Sequence, residues 1–221
     1  MNQRIFISKA SHDCQELAAF CQSKSIELVS ESLISFQEIP FEDNLEYEVV
    51  FFASIRAAEY YLKHKSSQRF PIFTCVGEET NRKLNQLSIK CDFVGDKSGE
   101  PEKVAKQFKK WLGSRNVLFP HSDKSLHTIA SFLPENQLTK IEVYQTILEE
   151  KHIPNCDYYI FTSPSNVQSF ISDNELAKSS KIIAWGKSTQ SELEKNQLQY
   201  DFCLTHSSLK EVVEILKNEI A

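Results

Sequence analysis

The chain says the same thing twice. Residues 158–170 read YYIFTSPSNVQSF and residues 49–62 read VVFFASIRAAEYYL. Phe52 aligns with Phe161 and Ser54 with Ser163, an offset of 109 residues. That offset also aligns Gly77 with Gly186, Thr80 with Thr189, Leu84 with Leu193, Asp92 with Asp201 and Phe93 with Phe202. A constant offset held without a gap marks two copies of one design. Each copy runs from an apolar stretch through a small hydroxyl-bearing turn into an amphipathic segment, the order of strand, turn and helix. The chain is therefore expected to fold as two similar α/β lobes.

Reading in order, 4–8 is a first strand. Ser11 and Asp13 are expected to cap a helix running to about residue 24, and 26–30 is a second strand. LISFQEI (33–39) is extended with no helix before it, Pro40 stops it, and 42–48 is an acidic loop. The next lobe alternates strands at 49–53, 71–76, 91–94 and 116–119 with helices to about 64, over about 78–87, from 101 with Val104, Phe108 and Trp111 facing inward, and over 123–133. Polar loops fill 65–70 and 95–100, and Pro101 suits the first position of a helix. KIEVYQTI (140–147) alternates as a half-exposed strand does and can pair with 33–39. Strands at 157–162, 181–185 and 200–204 then alternate with helices, the last from 207 to 220. Strand–helix order throughout implies parallel sheets. The division follows: 1–32 with 148–221 as a discontinuous first lobe, 41–139 as the second, and 33–40 with 140–147 as connector strands bordering a cleft.

Composition narrows the function. A net charge of −5 argues against a nucleic-acid binder that relies on a positive field. No apolar run is long enough to span a bilayer, and the opening MNQRIFISKAS has too short an apolar core for a signal peptide. None of the six cysteines forms a CxxC pair or lies at metal-ligand spacing from a histidine, so they read as buried reduced thiols and no metal is expected. These features point to a soluble cytoplasmic protein, and a monomer is the expectation taken with it.

In parallel sheets, ligands bind beyond the carboxyl ends of the strands. Four repeated turns fall there: residues 53–56 (ASIR), 77–80 (GEET), 163–166 (SPSN) and 186–189 (GKST). Each opens a helix, so unpaired N–H groups and the positive dipole end are available to carboxylates or phosphates. The hydroxyls of Ser54, Thr80, Ser163, Ser165, Ser188 and Thr189 add short polar contacts. The nucleotide-binding, zinc-protease and serine-hydrolase signatures are missing from the sequence.

FASIRAA with FTSPSNV, VGEETNRKL with WGKSTQSEL, LFPHSD (118–123) and VYQT (143–146) together resemble the uroporphyrinogen-III synthase family, in order over nearly the whole chain. The resemblance implies two flavodoxin-like, parallel-sheet α/β lobes joined by a two-stranded β connector. It implies a cofactor-free lyase that closes linear hydroxymethylbilane into uroporphyrinogen III with inversion of the last pyrrole, in heme biosynthesis. By similarity Tyr144 is the catalytic candidate, acting on the departing hydroxyl. Ser54, Thr80, Ser163, Ser188 and Thr189 would hold carboxylates, with Arg56 and Lys181 adding charge. Ala53 stands where the motif usually has Thr, and His121-Ser122 replaces the commoner Arg-Gly. Those departures motivate the alternative of a non-catalytic two-lobed anion-binding or regulatory protein that kept the fold.

Overall fold

The computed structural model describes residues 3–66, 70–96, 100–125 and 127–220. The loops expected at 65–70 and 95–100 lie partly outside them. The chain divides into two compact units, Met1–Ser35 with Ile147–Ala221, and Phe36–Thr146.

The first unit is a five-stranded sheet in the order β11-β10-β9-β1-β2, all parallel. Its strands are β1 (Arg4–Ile7), β2 (Glu27–Ser30), β9 (Tyr158–Phe161), β10 (Lys181–Ala184) and β11 (Phe202–Cys203). Neighbouring side chains on a strand point to opposite faces, so each apolar run feeds two cores. Ile5, Ile7, Tyr158, Ile160 and Ile183 meet α1 (Gln15–Ser23) and α7 (Leu209–Glu219) on one face. Phe6, Tyr159, Phe161, Ile182 and Ala184 meet α5 (Pro164–Asp173) and α6 (Lys187–Lys195) on the other. A sheet covered on both sides explains why these strands read as continuous apolar runs rather than alternating ones.

The second unit has a six-stranded sheet in the order β3-β8-β7-β4-β5-β6. Its strands are β3 (Ile34–Glu38), β4 (Val49–Phe52), β5 (Ile72–Cys75), β6 (Phe93–Val94), β7 (Val117–Ser122) and β8 (Leu138–Leu148). Among the described residues three α-helices accompany it: α2 (Ile55–His64), α3 (Glu78–Gln86) and α4 (Pro101–Leu112). Phe51 packs on Phe108 and Phe119 on one face, while Phe52 packs on Tyr61 and Phe73 on the other. The expected connector strands are part of this sheet, because β8 pairs in parallel with β7. The Ile39 N–H donates to the Val143 carbonyl and the Glu149 N–H to the Leu33 carbonyl, the reciprocal spacing of an antiparallel pair between β3 and β8.

Two sequence expectations give way. Ser11 and Asp13 do not cap α1; they form a short 3-10 turn, and the helix starts at Gln15 after the fully buried Cys14. The chain must sink the Cys14 thiol into the core before it can turn into the helix. The helix predicted over 123–133 is also not formed; its described residues are turns and one 3-10 turn, Ala130–Phe132. Asp123 is held on β8, its N–H donating to the Tyr144 carbonyl and its carboxylate accepting from the Thr146 N–H at 2.9 Å. His127 then adopts a left-handed φ of 52°, which no α-helix tolerates.

Candidate active site

Both units present helix-opening turns at the carboxyl ends of their strands, and local chemistry sorts those turns into two kinds. Ser163 precedes α5 in extended backbone, and its Oγ accepts from the Asn166 N–H at 3.3 Å. Ser54 does the same for α2, accepting from the Ala57 N–H at 3.2 Å. Each is an N-cap and stabilises its helix by about 1 kcal/mol. Capping uses only an acceptor lone pair, so each hydroxyl hydrogen stays free to donate to a carboxylate. The other two turns begin at Gly77 and Gly186, which have no side chain to cap with. There the first N–H groups of α3 and α6 are left to a ligand or to water.

Electrostatics separates these two glycine turns. The first turn of α6 carries no acid and has Lys187 and Ser188 exposed, with Thr189 buried behind them. The first turn of α3 carries Glu78 and Glu79, which already occupy the positive end of the helix dipole beside the half-buried Thr80. Glu79 pairs with Arg82 at 2.8 Å, which holds its carboxyl below the usual range. Three of the four turns are therefore free of acidic residues and suited to anions, and the Thr80 turn is not.

In the first unit the Ser163 turn is braced by groups that sequence reasoning did not single out. The Asn166 side chain, 3% exposed, donates to Ser163 Oγ at 2.9 Å and accepts from the Leu33 N–H at 3.0 Å. Thr162 donates its N–H to Ser8 Oγ at 2.8 Å and its hydroxyl to the Ser8 carbonyl at 2.7 Å. The only sequence hint was an amide side chain three residues into a helix, facing the core side. Ser165 lies half-exposed in the same turn. Lys181 is not brought to these turns. It opens β10 at the amino end of the sheet, about 16 Å along the strand from Gly186, and its ammonium pairs with Glu219 of α7.

In the second unit Tyr144 and Arg56 do come together. Tyr144, 8% exposed, stacks on Tyr60 at 5.3 Å and meets Phe36 edge-on at 5.7 Å. The Arg56 guanidinium lies 3.4 Å from the centre of the same Phe36 ring. The Tyr144 hydroxyl has no hydrogen-bond partner among the described residues and is not sealed from solvent. A β-bulge aims this side chain: His121 pairs with Glu142 but Ser122 pairs with Tyr144, leaving Val143 extra. That is why Val143 and Tyr144, adjacent on one strand, both join the same apolar cluster. Among the described residues no group of three or more His, Cys, Asp or Glu could hold a metal, and all six cysteines are free thiols.

The family sequence model for uroporphyrinogen-III synthase HemD matches residues 15–214. This chain belongs to the uroporphyrinogen-III synthase family. Solved structures share its fold. The uroporphyrinogen-III synthetase of Helicobacter pylori superposes with a TM-score of 0.70 at 17% identity, covering 99% of this chain and 100% of that one. A mutant uroporphyrinogen III synthase from Thermus thermophilus gives 0.62 at 10% identity, covering 99% and 98%. A comparison with curated proteins finds no significant sequence match. Membership places the chain in tetrapyrrole biosynthesis as a uroporphyrinogen-III synthase. No helix among the described residues is long and apolar enough to cross a membrane.

Proposed function

We propose that the chain is a cofactor-free carbon–oxygen lyase that cyclises hydroxymethylbilane, with Tyr144 as the residue that assists loss of the hydroxyl. The observation that carries this reading is the unpartnered Tyr144 hydroxyl, held by Tyr60 and Phe36 on a bulged strand beside Arg56. A fixed O–H donor with no internal partner is what protonation of a leaving hydroxyl needs.

In this reading the Tyr144 proton passes to the terminal hydroxyl, the carbon–oxygen bond breaks, and water leaves an azafulvene cation. The substituted carbon of the last pyrrole attacks that cation to give a spiro intermediate. Rearrangement closes the macrocycle with that ring inverted, and the ring proton finally lost restores the tyrosine. The sum is hydroxymethylbilane to uroporphyrinogen III and water. Free bilane closes spontaneously without inversion, so the protein acts chiefly by holding one conformation of a flexible chain. The Ser54, Ser163 and Gly186 turns would hold acetate and propionate arms through hydroxyls and main-chain N–H groups, and Arg56 would add a positive charge. The protein would act as a cytoplasmic monomer on its linear tetrapyrrole.

Purified protein supplied with hydroxymethylbilane should yield the III isomer; formation of the I isomer alone would refute the activity. Tyr144→Phe should lower kcat about 100-fold while leaving KM within about twofold, the scale of losing one general acid. Unchanged kcat would remove Tyr144 from the chemistry.

A further inference from the structure

At the carboxyl end of the second unit's sheet, on the face away from the Tyr144 cluster, lies a cavity of about 270 Å³. Its walls include Ala53 and Val76, the residues just before the Ser54 and Gly77 turns, and Phe119 of β7. Ser125, His127 and Thr128 bring polar groups to it. This is the crevice where parallel sheets take ligands.

His127 is the unusual member. Its backbone is left-handed, with φ 52°, and its Nδ1 is buried with no hydrogen-bond partner. A buried ring nitrogen is ordinarily paired. Its ring meets that of His121 edge to face at 4.4 Å, and the His121 Nδ1 is already committed to the Ser122 carbonyl at 2.9 Å. That His121 nitrogen is not a partner for His127, whose Nδ1 stays orphaned and available to an incoming group. The broad torsion at the imidazole ring lets it swing that nitrogen toward the cavity without leaving its rotamer well.

We propose that this cavity is a subsite for one carboxylate-bearing arm of the substrate, gripped by the His127 imidazole with Ser125 and Thr128 beside it. The proposal rests on the tetrapyrrole reading above and names a contact within it. The size fits: the space holds a short acid arm, not a macrocycle. The charges also fit. The groups facing His127 are His121 on β7, Lys140 and Glu142 on β8, and Glu135, which lines a neighbouring cavity with Lys140. Burial, then His121 and Lys140, push the His127 pKa down, with Glu142 opposing, which favours the neutral ring before an arm binds. A carboxylate against the ring reverses this and draws a proton onto it. Binding then takes up a proton, so affinity falls as pH rises through the complexed pKa.

The test uses the whole chain and reduced uroporphyrinogen III as the probe, under anaerobic conditions. In ¹⁵N-labelled protein, the imidazole signal lost in His127→Gln identifies His127. Titration at about pH 7 should move that signal toward the imidazolium position. His127→Gln should weaken binding about tenfold near pH 6, the scale of one charge-assisted hydrogen bond, and flatten the pH dependence of Kd. A matched thermal melt excludes misfolding, and the wild-type titration needs no variant. An unmoved His127 signal at saturation, no binding of the probe, or wild-type Kd and pH dependence in His127→Gln would each overturn the subsite. A moving His127 signal in a protein that makes no III isomer would refute the enzymatic reading and leave the subsite standing. Turnover without that response would do the reverse.

Discussion

Asn166 gives the sharpest prediction, because one buried side chain ties a helix-opening turn to the start of the chain's first passage between units. In Asn166→Ala the Leu33 N–H, on a residue with 0% exposure, loses its acceptor at 3.0 Å. An orphaned buried N–H costs about 1–3 kcal/mol. The bond to Ser163 Oγ at 2.9 Å is lost as well, while the 3.4 Å contact to Thr162 is too long to count for much. A neutral bond of that kind contributes about 1 kcal/mol. The total is about 2–4 kcal/mol, or a melting shift of about 10 °C. Asn166→Asp keeps the acceptor for Leu33 and places a negative charge at the start of α5, so it should lose about 1–2 kcal/mol. Urea unfolding followed by Trp185 fluorescence, in a Trp111→Phe background, reads the first unit alone. The midpoint should fall with the m-value unchanged, and the Leu33 amide should exchange faster. If Asn166→Ala stays within about 0.5 kcal/mol of the parent, the bond to Leu33 does not brace this turn and the reasoning fails.

Glu78→Gln removes an acid from the α3 N-terminus and should lower KM about two- to threefold at constant kcat, at a stability cost of about 0.3–1 kcal/mol; an unchanged KM would mean the Gly77 turn does not face the substrate. Lys181→Gln should keep kcat/KM within about twofold, since the residue sits at the amino end of its strand. Glu219 holds the Lys181 pKa above the ordinary lysine value. The stability from that pair is therefore full below the ordinary value and is lost as pH rises through the raised one, a decline Lys181→Gln should lack in alkaline melts. Glu38 works at the other end of the scale. Hydrogen bonds from Lys63 and His64 hold its pKa below the usual carboxylate value. Its contribution is present above that usual value and lost as pH falls through the lowered one. Glu38→Gln should remove that acid-side loss in melts between about pH 6 and 3; an identical acid limb would refute it.

The two similar lobes, the strand–turn–helix order and the helix-opening turns at Ser54 and Ser163 were legible because they are written into local sequence, whereas the cap expected of Ser11 was not formed. An apolar run and a hydroxyl before a helix are set by residues within a few positions of each other, and the repeat shows the same local pattern twice. The amino-end position of Lys181 was equally legible, since the strand it opens was predicted; the resemblance had suggested otherwise. The absent helix at 123–133 was not. Its pattern was helical, but Asp123 bonds instead to Thr146 on β8. Tertiary contacts also decided the role of Asn166, whose partner Leu33 lies 133 residues away. The bulge that aims Tyr144 arises only when β7 meets β8, and the ring contact of His127 with His121 only when the turns after β7 fold back on that strand. Propensity and periodicity act along the chain, so they specify elements. Hydrogen-bond partners and ring contacts between distant segments exist only after those elements pack, so the chemistry of the site had to wait for the fold.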